Sequence, residues 1–138
     1  RRQRQMCIRD SIKYVNDGSI DLVTCDHCPI DIDNKKTDFE NSFFGSTGLE
    51  SSFGALNSLF DLNKTIKILT SGYDTFRINK PSLSVGSKAK LTLFNPDIKY
   101  TFSKSNILSK SKNSSFIDSK LKGKAYGIVS NSKILIVE

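Results

Sequence analysis

No apolar run in the 138-residue sequence approaches the roughly 20 residues needed to cross a bilayer, so no part of it is expected to span a membrane. The basic first residues lead into no apolar stretch, and the sequence predicts no signal peptide. Cysteine is scarce, at three residues. Cys25 and Cys28 stand three positions apart, which is not the disulfide framework of a secreted domain, and a reducing cytoplasm is the expected compartment. A structural zinc site would need a second pair of such ligands, which the sequence lacks. Aromatics are missing where a nucleic-acid binder would want them: the Lys/Ser-rich run from Lys104 to Lys122 holds only Phe116. That run is read as a solvated loop, and no nucleic-acid partner is expected.

What remains is a chain of one ordinary domain's length, 37% hydrophobic, with a formal net charge of +7. The segment RRQRQMCIRDS, Arg1 to Ser11, shows no strand or helix periodicity and resembles a translated sequencing-adapter read at the end of a gene fragment. It is set aside as an adapter-like segment of non-native origin, the alternative being a basic arm. Its four arginines and one aspartate carry three of the seven charges, leaving a modest +4.

The most informative stretch is Ile20-Asp21-Leu22-Val23-Thr24-Cys25-Asp26-His27-Cys28-Pro29. It reads as a buried strand ending in a carboxylate, and barrel enzymes place catalytic residues at such strand tips. Asp26 has a bland alternative, since aspartates also end strands by accepting turn N–H groups. His27 follows it directly, so its side chain should face the other way and serve the fold. Cys25 is expected to be a small buried residue.

Before this strand, Ile12 to Asp17 reads as the tail of a helix closed at Asn16-Asp17-Gly18. After it, Asp31 to Asn41 reads as a polar loop. Thr47-Gly48-Leu49-Glu50 has the form of a capping box, and Leu49, Phe53, Leu56 and Phe60 recur at helical spacing, predicting an amphipathic helix over 48–60. A second helix is expected from Lys64 to about Ser71, with Ile66, Ile68 and Leu69 inward and Gly72 ending it. From Pro81 the texture turns to strands: 89–94, a turn at Asn95-Pro96-Asp97, then 98–102, and a closing hairpin of 123–129 and 133–137. A lone strand-helix unit cannot build a parallel sheet, so the barrel strand's neighbours are expected outside this chain.

Four separated motifs then carry a resemblance: DGSIDLVTCDHCPID, FENSFFGSTGLESSFGAL, SVGSKAKLTLFNPDIKYTF and SKSKNSSFIDSKLKGKAYGIV. Together they resemble the C-terminal third of the dihydroorotases, in the class of the amidohydrolase superfamily that resembles the multifunctional pyrimidine enzyme. The resemblance implies an α/β fold: the end of a (β/α)8 barrel over 12–80, then part of a small β-sandwich over 81–138. It implies a cytoplasmic, zinc-dependent enzyme of pyrimidine biosynthesis that interconverts N-carbamoyl-L-aspartate and dihydroorotate. It also implies one or two zinc ions, a small-molecule substrate, and room for a homo-oligomer or a pyrimidine-pathway enzyme as partner.

On this resemblance Asp26 matches the aspartate at the tip of the eighth strand, beside the metal and acting as general base and acid. Phe44 and Gly45 match a loop whose backbone contacts the substrate ring. Zinc in such a site lowers the pKa of bound water to about 7, and a neighbouring carboxylate moves its proton. Two positions depart from the pattern. Ile30 stands where a histidine often binds the substrate carboxylate, and Gly72-Tyr73 replaces an Asn-Pro. The first-strand His-x-His pair, the bridging lysine and the middle-strand histidines are absent, so this chain alone is expected to be inactive. A catalytically silent assembly protein and a related cyclic-amide hydrolase such as a hydantoinase stay open as alternatives.

Overall fold

The computed structural model describes residues 2–137; Arg1, which opens the adapter-like segment, and Glu138 lie outside the described residues. The elements run α1 (Arg2–Asp17), α2 (Leu49–Leu59), α3 (Leu62–Thr75), β1 (Lys90–Thr101), β2 (Lys120–Ser130) and β3 (Lys133–Ile136), with a 3-10 turn at Lys104–Asn106. The chain divides into two compact units. One takes the residues up to Thr24 with Ile66–Lys80, the other Cys25–Thr65 with the residues from Pro81 on.

In the first unit, α1 is longer than the expected tail and runs through most of the segment read as aperiodic. Arg, Gln and Met are good helix formers, so a helix there needs no apolar stripe. It ends where the turn residues predict: Gly18 takes a φ of +84°, Ser19 N–H donates to Asp17 Oδ1 at 2.9 Å, and Ile20 N–H donates to the Tyr14 carbonyl at 3.0 Å. Residues 20–25 form no strand. A strand exists by its ladder, and no ladder partner stands beside these residues among those described.

α3 is one helix from Leu62 to Thr75, so Gly72 does not end it. A mid-helix glycine costs about 1 kcal/mol, which the turns on either side absorb. Of its three expected inward residues, Ile68 is buried, while Ile66 and Leu69 are exposed.

The second unit holds an antiparallel sheet in the order β1-β2-β3. The expected turn at Asn95-Pro96-Asp97 is instead an irregularity within a continuous β1, where the register to β2 shifts between Asn95 and Lys99. Proline has no N–H for a ladder, and a bulge removes the need for one. The closing hairpin is as read: Asn131 and Ser132 both have positive φ, at +50° and +60°, the requirement of a two-residue turn that matches strand twist.

The core of this unit is Phe102, Ile107 and Leu121, with Ala55, Tyr100, Phe116 and Ile117 packed on it. Each of these three buried apolar side chains contributes up to about 1.5–3 kcal/mol. Ile107 belongs to the run read as a solvated loop, which is therefore partly interior.

α2 forms where the periodicity places it, yet it buries a different stripe. Its buried residues are Ser51, Gly54 and Asn57, while Leu49 is 62% exposed. Small residues let the helix come close to β2. A Cβ on Gly54 would stand 2.9 Å from the Tyr100 hydroxyl and 3.1 Å from Leu121 Cβ. Asn57 then uses its amide as a pin, Nδ2 donating to the carbonyls of Pro96 at 2.9 Å and Lys122 at 3.0 Å. Phe53 flanks this stripe and meets Phe94 edge-on, with ring centroids 4.9 Å apart.

Candidate functional site

The segment Cys25–Ile30 is held against 45–48 by backbone contacts. His27 and Ser46 form a parallel bridge, and Cys28 N–H donates to the Ser46 carbonyl at 3.0 Å. Two glycines allow the approach: a Cβ on Gly48 would fall 2.6 Å from the Cys25 carbonyl oxygen, and one on Gly45 would fall 2.7 Å from that of Cys28. Asp26 and Gly45 each precede one member of the bridge, so the structure puts Asp26 and the Phe44-Gly45 loop on adjacent segments.

Asp26 is exposed and has a φ of +42°. That left-handed backbone costs a non-glycine residue about 1–2 kcal/mol, least for Asn and Asp. Its carboxylate makes no hydrogen bond or ion pair among the described residues, which removes the reading of Asp26 as a turn-closing group. Phe44 is 89% exposed. Gly45 is half-buried with a φ of +141°, its carbonyl accepting from Asn113 Nδ2 at 2.9 Å. Ile30 stands beside it, Cγ1 lying 2.6 Å from where a Gly45 Cβ would be. An apolar side chain thus covers this end of the loop.

Cys25 and Cys28 are both exposed free thiols, so Cys25 is not the buried residue expected; without a flanking strand nothing covers it. Among the described residues no group of three or more His, Cys, Asp or Glu side chains could hold a metal ion. The residues here offer Asp26 as one carboxylate ligand and do not by themselves fit a zinc site.

Around His27 lies a network the sequence did not show. Its Nδ1 accepts from the backbone N–H groups of Gly48 at 3.1 Å and Leu49 at 3.2 Å, the first amides of α2. Its Nε2 lies 3.3 Å from Ser109 Oγ, which donates to Glu50 Oε1 at 2.6 Å. Glu50 Oε1 also accepts from the N–H groups of Leu108 and Ser109 at 3.1 and 2.9 Å.

The expected capping box is therefore absent. Glu50 is drawn to the 108–109 loop, and Thr47 Oγ1 donates to the Asn113 carbonyl at 2.9 Å. Nor is this a hydrolytic triad, which needs the carboxylate on the far ring nitrogen to orient the histidine. Here the carboxylate holds the serine, and backbone amides occupy Nδ1.

Burial pushes the Glu50 carboxyl up, but hydrogen bonds from the Ser109 side chain and backbone and from its own backbone, together with nearby His27, outweigh it and leave the group below its ordinary value. A carboxyl depressed on folding adds stability above its unfolded pKa and loses it as pH falls through the folded one. The thermal stability of the wild type should exceed that of Glu50→Gln most near neutral pH. The gap should close only below the ordinary glutamate range, about 4.3. A gap that does not change with pH would contradict the clamp.

A separate groove in this unit is lined by Phe53, Tyr100, Leu108, Tyr126, Leu135 and Val137 among others, and neither Asp26, Phe44 nor Gly45 lines it. Tyr100 there has its hydroxyl pKa pushed up by burial.

No family model matches the chain. It is 35% identical over 132 residues to a dihydroorotase of Chlorobaculum tepidum, covering 91% of this chain and 30% of that protein. To a dihydroorotase of Endomicrobium trichonymphae it is 37% identical over 125 residues, covering 84% and 30%. The chain thus spans about 30% of the length of these curated relatives. Among solved structures it is similar to a D-hydantoinase (dihydropyrimidinase) from Thermus sp., with a TM-score of 0.80 and 21% identity over 94% of this chain and 31% of the other. A dihydropyrimidinase from Brevibacillus agri superposes with a TM-score of 0.74 at 22% identity, over 91% and 30%.

The fold is that of part of these barrel amidohydrolases. In sequence the chain is similar to part of the dihydroorotases. The α/β class expected from the four motifs is borne out, as is the resemblance itself.

Proposed function

We propose that the full-length protein is a dihydroorotase, joining N-carbamoyl-L-aspartate into dihydroorotate and reopening the ring, with Asp26 as the acid/base residue. The observation that carries this reading is the state of Asp26: an exposed carboxylate on a left-handed backbone, engaged by no other group described, beside the Phe44-Gly45 loop. A residue kept in a costly conformation without a structural partner is a candidate for function. In the ring-opening direction, water attacks the ring carbonyl carbon and the C–N bond breaks. Asp26 takes the water proton and passes it to the departing nitrogen, so the carboxylate is regenerated. Phe44 and Gly45 are the proposed ring-contacting residues. Zinc belongs to this reading through kinship; its remaining ligands are not among the described residues, and the chemistry derived is that of Asp26 itself.

Ile30 favours a second reading. Packed on the Gly45 position, it supplies no hydrogen bond for a substrate carboxylate, which suits a cyclic amide lacking one, as in hydantoins. Turnover by the full-length wild type on dihydroorotate and on a 5-alkyl hydantoin separates the two. The dihydroorotase reading expects dihydroorotate to be opened faster. Hydantoin turnover alone would overturn it in favour of the second, and no turnover of either would favour a silent assembly role.

A further inference from the structure

His27 is the sole histidine of the chain, half-buried, and its ring is engaged at both nitrogens. Two backbone N–H groups point at Nδ1, so that atom holds a lone pair and the proton of the neutral ring is on Nε2. From there the donors run in one direction: Nε2–H to Ser109 Oγ, then Ser109 O–H to Glu50 Oε1. Each donor meets an acceptor, and only one tautomer permits it.

The network joins three stretches far apart in sequence. His27 adjoins Asp26, Gly48 and Leu49 open α2, and Ser109 sits in the long loop before β2. α2 has no cap of its own, since neither Gly48 nor Thr47 offers it a side-chain acceptor. Histidine Nδ1 supplies the acceptor that an N-cap residue ordinarily would. Capping from outside the helix has a second consequence. It ties the residue after Asp26 to a rigid element, and the Asp26 backbone is the one that needs restraint in a left-handed conformation.

We infer that His27 is a positioning residue: as the Nε2–H tautomer it caps α2, is braced by Ser109 and Glu50, and so fixes the backbone that presents Asp26. This inference rests on the reading of Asp26 as the acid/base group. The ring itself touches no reacting atom.

The test has a spectroscopic and a kinetic arm. With the single histidine 15N-labelled in the chain, the neutral ring should show an unprotonated Nδ1 and a protonated Nε2. A proton on Nδ1, or averaging between the two forms, would overturn the clamp. In the full-length protein, His27→Ala should lower kcat for dihydroorotate by about 10- to 100-fold with KM little changed, the order expected of a misplaced group. It should also speed amide exchange at Gly48 and Leu49. His27→Asn, whose Oδ1 can stand near the Nδ1 position, should recover most of both losses. An unchanged kcat in His27→Ala, while Asp26→Asn is inactive, would sink the positioning role and spare the assignment of Asp26. Full activity in Asp26→Asn would remove that assignment, and with it the catalytic half of the inference, whatever the tautomer. Should His27→Ala fail to fold, the tautomer and the His27→Asn kinetics decide.

Discussion

Gly123→Ala is expected to destabilise the second unit by about 2–5 kcal/mol, a large share of a small domain's stability. Two costs combine at this position. Gly123 has a φ of +94°, where an L side chain costs about 1–2 kcal/mol. A Cβ there would also stand 2.8 Å from both Asn57 Nδ2 and Phe53 Cε1. Overpacking of that kind costs about 1–3 kcal/mol. The helix cannot retreat cheaply, because Asn57 would lose its bonds to Pro96 and Lys122 and leave two carbonyls short of a donor. Gly86→Ala is the matched control: φ is +87° with nothing within 4 Å of the Cβ position, so only the backbone cost of about 1–2 kcal/mol applies. Denaturant unfolding of the two variants should separate them clearly. Equal midpoints would mean that α2 does not sit on β2 as closely as described.

The same contact shows what the sequence could and could not reveal. The apolar recurrence at Leu49, Phe53, Leu56 located α2 correctly, because a helix must place such residues on one side. It misjudged the contact stripe, because Ser51, Gly54 and Asn57 are buried for their small size and for one amide pin, properties that a polar/apolar pattern does not weigh. The β2–β3 hairpin was legible from local turn chemistry. The bulge at Pro96 was not, since a proline between alternating runs signals a turn and a bulge alike until the partner strand is known.

Residues 20–25 illustrate the limit most plainly. Their composition reads as a barrel strand, but pairing is a property of two segments, and only the bridge at His27 forms here. At the candidate site, the four motifs single out Asp26, Phe44 and Gly45, and the structure sets them on adjacent segments. Ser109 and Asn113 were not: they lie more than 50 residues from the groups they hold, and a Ser/Lys/Asn-rich run carries no local mark of which side chains turn inward. Glu50 was seen but given the wrong partner, because a capping box is inferred from spacing and a remote serine competed for the carboxylate.

Asp26→Asn is expected to have the largest effect on function. The substitution keeps the size and the tolerance of a left-handed backbone, since Asn adopts it as readily as Asp. Nothing else in the described structure depends on the Asp26 carboxylate, so stability should change little. What disappears is the proton acceptor. Acid/base groups of this kind contribute about 10²–10⁴-fold, and one that serves both the attacking water and the leaving nitrogen should sit at the upper end. The decisive measurement is the turnover of dihydroorotate by the full-length wild type and by Asp26→Asn at matched metal content and confirmed folding. Loss of at least about 10²-fold in kcat with an unchanged melting temperature is the expected result. Near-normal turnover in Asp26→Asn would contradict the assignment of Asp26 and the proposed chemistry built on it.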